Sequence, residues 1–142
     1  MDDNYIIHYI GLIRDHVNRF LTQELKKHEL KGISPSHGDI LGALCLKDNL
    51  RMKELATLIN RDKSTITALV NKLIDLGYVE KEADLNDNRI NLIRLTEKGQ
   101  KIRPEIKKIS EKLRLKAYKG LSDEEKTILS MLLSKISRNF VS

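Results

Sequence analysis

The stretch "DKSTITALVNKL", residues 62–73, sets Ser64, Thr65, Thr67, Asn71 and Lys72 among apolar residues that recur at helical spacing. Hydroxyl, amide and ammonium groups on one side of a helix's first half can exchange hydrogen bonds with base edges in a DNA major groove. Arg61 and Lys63 flank that half and suit phosphates, and a helix N-terminus itself favours an anion. Further on, Asn86, Asp87, Asn88 and Arg89 place one guanidinium among residues that form tight turns. A cation carried on such a tip is drawn to the negative potential of a narrow, A·T-rich minor groove.

The same residues have plainer readings. Ser64, Thr65 and Thr67 near a helix start serve equally as capping and solvated groups, and Arg89 could be a surface partner of Asp87 and nothing more. "DKST" looks like the end of a phosphate-binding loop, but no glycine precedes it at the required spacing. Cys45 lies on an apolar face and reads as a core thiol; a single cysteine allows no internal disulfide and is compatible with a reducing compartment. His8, His16, His28 and His37 form no short-spaced pair with one another or with the cysteine, so no metal site is expected. Neither paired carboxylates nor a nucleophile with its base can be assembled, so the chain is not read as an enzyme and no cofactor is expected.

Positioning those groups takes a set of helices. Ile6, Ile10, Ile13, Val17, Phe20, Leu21 and Leu25 advance in steps of three and four, which predicts a long amphipathic helix. Gly32 is expected to stop it. Ser34 then caps a second helix with Pro35 at its first position and Ile40, Leu41, Leu44 and Cys45 as its buried stripe. Two short helices follow, one presenting Leu55, Ala56, Leu58 and Ile59, the other Ile66, Leu69, Val70, Leu73 and Ile74. Asn60-Arg61-Asp62 joins them, Asp62 caps the second and Gly77 ends it, a pattern that fits a helix-turn-helix. Residues 78–95 read as a hairpin with its tip near "DLNDNR". After Thr96 the chain is helical along Ile102, Ile106, Ile109 and Leu113, with Pro104 either kinking that helix or marking its true start. Gly120 breaks it, and Ser122 with Glu125 forms a capping box for a last helix built on Ile128, Leu129, Leu132, Leu133 and Ile136.

Helix, helix, turn, helix, hairpin is a winged helix-turn-helix, a mainly α fold with a small β-hairpin wing. The order of parts, together with "HGDIL", "MKELATLINRDKSTITALVNKLIDLGYV" and above all "DNRINLIRLTEKG", resembles the MarR family of bacterial transcription regulators. The last stretch matches that family's Asp-x-Arg, five residues, Leu-Thr, two residues, Gly, and the motif-bearing part covers residues 37–99. The resemblance implies an N-terminal dimerisation helix in residues 1–33, a DNA-binding domain in 34–99 and C-terminal dimerisation helices in 100–142. It also implies that Asp87 braces Arg89 and that the protein represses an operator in double-stranded DNA. A small-molecule effector in the crevice between dimer arm and wing domain would relieve that repression; no residue identifies it, and cofactor-binding positions stay unassigned. Arg51 stands where the family usually starts the helix before the turn with Ser or Thr, and could meet a phosphate instead. Pro104 is unusual that early in the family's fifth helix.

Composition agrees with this frame. At 142 residues the chain makes one domain, or a small domain with helical extensions, and 40% hydrophobic with 32% charged residues is globular and helix-rich. No apolar run approaches the roughly 18 residues of a membrane span. The "MDDN" start lacks the basic flank of a signal peptide, so a cytoplasmic protein is expected. The formal charge of +6 favours a polyanionic partner, and residues 51–72 carry 5 basic against 2 acidic groups, which puts a local excess on the helix-turn-helix. Amphipathic segments at both ends of the chain, too apolar to stand alone, predict a homodimer whose two recognition helices address a pseudo-palindrome, its half-sites about 10 bp apart. A winged helix that serves as a protein-interaction module without specific DNA binding is the alternative.

Overall fold

The computed structural model describes residues 5–141, and the "MDDN" start lies outside them. Helix α1 (Tyr5–Lys27) stops five residues before Gly32, which is where the sequence predicts its end. Glu29 takes the left-handed conformation (φ 59°) that ends the helix. Its N–H donates to the Lys26 carbonyl and that of Leu30 to the Leu25 carbonyl, each at 3.0 Å. This pair of bonds is a Schellman turn, locked by burial of Leu25 and Leu30 on one another's side of the helix end. Gly32 (φ 79°) serves the next turn instead.

Helix α2 (Pro35–Leu46) starts as expected from Ser34, with Ile40, Leu41, Leu44 and Cys45 all buried. The cap is reciprocal: Ser34 Oγ accepts the His37 N–H, and His37 Nδ1 accepts the Ser34 N–H at 3.1 Å. Burial, with Lys72 nearby, pushes the His37 pKa down, which keeps the imidazole neutral and its Nδ1 an acceptor. Burial pushes the Cys45 thiol up, in keeping with a core position.

A strand that the sequence does not predict follows. Strand β1 (Leu50–Arg51) has two residues, far below the length at which alternation is visible. It pairs Leu50 with Ile93 and Arg51 with Leu92 on β3 (Asn91–Leu95), whose other edge carries β2 (Val79–Ala83), so the hairpin becomes a three-stranded antiparallel sheet of order β1-β3-β2. Helices α3 (Met52–Ile59) and α4 (Lys63–Asp75) are joined by the expected three residues. Leu58 departs from its predicted stripe: Leu55 is buried and Met52, Ala56 and Ile59 pack against the core, whereas Leu58 lies off that face and is 64% exposed. Asp62 caps α4, and Gly77 (φ 84°) ends it in the conformation that glycine adopts without strain.

Helix α5 (Glu97–Ala117) is continuous through Pro104 and starts at its Thr96 cap, so the proline does not mark its beginning. Pro104 is exposed and has no N–H for the Gln100 carbonyl one turn back. Helix α6 (Asp123–Arg138) begins with the expected Ser122–Glu125 capping box. It buries no residue, and α1 buries only Glu24 and Leu25. The apolar stripes of both helices therefore face outward: Ile6, Ile10 and Ile13 are 39–58% exposed, and Ile128, Leu129 and Leu132 44–50%. No helix among the described residues is long and apolar enough to cross a membrane.

Candidate nucleic-acid interface

Helix α4 buries Ile66, Val70 and Leu73 and turns its polar side outward. Asp62 Oδ1 accepts the Thr65 N–H at 2.7 Å and the Ser64 hydroxyl at 2.8 Å, and these bonds hold its carboxyl below the usual carboxylate range. Thr67 donates its hydroxyl to the Lys63 carbonyl at 2.8 Å. The hydroxyl protons of Ser64 and Thr67 are thus committed to the helix, which leaves their oxygens acceptors only. Lys63, Ser64, Asn71 and Lys72 are exposed; Thr65 and Thr67 are half-buried. Arg61 is exposed in the turn, where Asn60 (φ 57°) reverses the chain and the Arg61 N–H donates to the Ala56 carbonyl at 3.1 Å.

At the wing tip Asn88 lies in the centre of the turn that the Ile90 N–H closes on the Asp87 carbonyl at 3.0 Å, as its residue type predicts, and two aspartate side chains fasten the chain around it. Asp84 Oδ1 accepts the Asn86 N–H at 2.9 Å and Asp87 Oδ1 the Arg89 N–H at 3.0 Å, so each acid replaces a backbone carbonyl two residues along. Neither asparagine takes a positive φ, and both remain exposed. The Arg89 guanidinium reaches Asp87 through Nε at 3.2 Å and Nη2 at 3.4 Å while its side chain stays 91% exposed. Those bonds hold Asp87 below the usual carboxylate range and set the guanidinium beside it. Arg94 clamps the strands behind the tip, reaching Glu80 at 2.6 Å and Glu82 at 2.8 Å.

Arg51 makes no side-chain cap for α3; the Glu54 carboxylate accepts the Arg51 N–H at 3.0 Å instead. The Arg51 guanidinium reaches Asp84 at 3.3 Å and is half exposed. Sequence reasoning missed Asp84, which is buried and links the start of α3 to the wing. Its spacing two residues before an amide in a turn-rich stretch was the available signal; the partner 33 positions away was not. Asp48 was missed likewise: its carboxylate accepts the Leu95 N–H at 3.1 Å and the Gln100 side chain at 3.3 Å, tying the loop after α2 to β3 and α5.

The Leu-Thr-x-x-Gly run joins the wing to α5. Thr96 accepts the Gly99 N–H at 3.1 Å and donates its hydroxyl to the Gly77 carbonyl, so one side chain caps α5 and fastens it to the end of α4. A Cβ on Gly99 would lie 2.1 Å from the Tyr78 carbonyl oxygen, a contact that excludes every other residue type without a backbone shift. Among the described residues no three His, Cys, Asp or Glu side chains gather where they could hold a metal ion.

Exposed cations on a helix N-terminal half and on a braced wing tip, carried by one packed domain, are suited to a polyanion. A model of the MarR family matches residues 31–90. The helix-turn-helix-type transcriptional regulator SarZ of Staphylococcus haemolyticus (strain JCSC1435) is 32% identical over 119 residues, 84% of this chain and 78% of that protein. The MarR protein of Peptoclostridium difficile DA00132 superposes with a TM-score of 0.80 at 28% identity, over 99% of this chain and 89% of that one. A MarR-family regulator from Listeria monocytogenes, solved with a 26mer DNA, has the same fold with a TM-score of 0.82 at 24% identity, over 98% of this chain and 89% of that one. With its winged helix-turn-helix and this likeness across most of its length, the chain belongs to the MarR family of DNA-binding transcription regulators and not to an enzyme family.

Proposed function

We propose that the protein is a homodimeric repressor that binds a pseudo-palindromic operator, with residues 34–99 as the DNA-binding domain and residues 1–33 and 100–142 forming the dimer arm. The observation that carries this reading is the wing: a guanidinium 91% exposed, oriented by its own aspartate, at the end of a clamped hairpin beside an exposed, cationic recognition helix. Ser64, Thr65, Thr67, Asn71 and Lys72 contact base edges in the major groove, Arg61 and Lys63 contact phosphates, and Arg89 enters the minor groove. Asp87 orients Arg89, Asn86 and Asn88 line the tip, and the half-exposed Arg51 lies within reach of the backbone while bracing Asp84. A protein acting on DNA in this way works in the cytoplasm.

Dimerisation is supported by the outward apolar stripes of α1 and α6. They border a trough of about 650 Å³ lined by Ile13, Phe20, Leu113, Leu129 and Leu133, which the partner's helices would fill. Relief by an effector is supported by a smaller cavity of about 130 Å³ between α1, α2 and α5, lined by Leu21, Leu25, Pro35, Gly38 and Ile106. That volume suits roughly one aromatic ring.

Selection of bound fragments from the source genome, followed by footprinting with wild type and Arg89→Ala, tests the reading. A protected pseudo-palindrome of roughly 20 bp, with affinity about tenfold weaker in the variant, is expected. Absence of any enrichment over random DNA would favour the protein-interaction alternative.

A further inference from the structure

Leu85, at the tip of the wing, is 98% exposed. We infer that Leu85 is a second DNA contact of the wing, an apolar pin that enters the minor groove beside Arg89 and packs against its sugar walls; this rests on the DNA-binding reading of the wing given above.

Geometry places the two residues together. The β2–β3 register runs from Val79 opposite Leu95 to Ala83 opposite Asn91, and the Asp84 N–H donating to the Ile90 carbonyl at 2.8 Å carries the pairing one step further. Beyond that bond the strands part: the Ile90 N–H donates to the Asp87 carbonyl at 3.0 Å, and Leu85 and Arg89 stand four positions apart in the one short tip that this turn closes. The backbone beneath Leu85 is held rather than loose. Asp84, immediately before it, is buried, bonded to Arg51 at 3.3 Å, and accepts the N–H of Asn86, immediately after it, at 2.9 Å. A side chain presented on a fixed backbone loses little freedom on contact.

Charge favours the same occupant. Both acids of the tip are already paired with arginines, Asp84 with Arg51 and Asp87 with Arg89, so the repulsion they would exert on phosphates is offset. A lone exposed leucine on a protein surface is ordinary. What distinguishes Leu85 is its place in the same short tip as the exposed Arg89, at the point of a hairpin too narrow to bury it. Apolar side chains of this size are the ones that minor-groove proteins press against sugars and base steps. Such a contact adds affinity without releasing a counterion.

The test titrates the full chain and its Leu85→Ser, Leu85→Met and Arg89→Ala variants against the genomic fragment that wild type selects, between about 50 and 200 mM salt. Leu85→Ser should weaken binding about tenfold at every salt concentration with the slope of log K against log salt unchanged, whereas Arg89→Ala should make that slope shallower by about 1. Leu85→Met, which keeps the apolar bulk, should bind as wild type does. Affinity of Leu85→Ser equal to wild type while Arg89→Ala is impaired would overturn the pin and leave the DNA-binding reading standing. A shallower slope in Leu85→Ser would also overturn it, because the loss would then be ionic. If wild type selects no fragment, the DNA-binding reading fails and the pin falls with it.

Discussion

Gly99 sits where the first turn of α5 passes the Tyr78 carbonyl, and the 2.1 Å separation from a hypothetical Cβ leaves no room for even a methyl group. Gly99→Ala should lower stability by about 1–3 kcal/mol, read as a lower midpoint in thermal unfolding, because backbone and not a flexible side chain must yield. Asp62 makes a prediction that depends on pH. Its folded pKa is depressed by the Thr65 and Ser64 bonds, so its contribution is complete above the unfolded value of about 3.9 and is lost as pH falls through the lower folded value. Asp62→Ala should therefore unfold at lower temperature than wild type near neutral pH, with the gap closing under acid; a gap independent of pH would mean that the carboxylate's charge plays no part. Ser64, Thr65 and Thr67 show why single residues are legible only in part. Their place on a polar helix face follows from spacing, but the commitment of two hydroxyl protons to Asp62 and Lys63 depends on rotamers that no pattern encodes.

The wing as an element depends on Asp84. Asp84→Ala removes the partner of Arg51 and the acceptor of the Asn86 N–H, which should cost about 1–3 kcal/mol and speed hydrogen exchange at Asn86. Unchanged exchange at that amide would show that the tip holds itself. In α5, Pro104→Ala restores a donor for the Gln100 carbonyl at an exposed position and should raise stability by up to about 3 kcal/mol in calorimetry. Helices, caps and the hairpin were readable because period, Ser34, Asp62, Gly77 and the Ser122–Glu125 pair each act within a few residues. Strand β1 was not readable, since two residues carry no period and exist as a strand only through β3, some 40 positions on. The end of α1 was misplaced for a related reason. Glycine is the usual left-handed residue after a helix, but burial of Leu30 against the helix end outweighs the strain of placing Glu29 there.

For the whole molecule, the dimer proposed on the outward stripes of α1 and α6 predicts that a charge set into them separates the subunits. Leu132→Glu, at a position 49% exposed in the single chain, should shift the mass measured by sedimentation from dimer to monomer and weaken operator binding with it. Retention of the dimer would move the interface away from α6. Helix α5 also runs unbroken for 21 residues from the wing junction into the arm, so it acts as a lever about 31 Å long. A tilt of about 10° at its arm end swings the far end by roughly 5 Å, more than the 3.4 Å step between neighbouring base pairs. In the dimer proposed above, two such rods would gauge an operator by the angle between them, and an effector would not need to touch the DNA-reading surface to change what that gauge accepts.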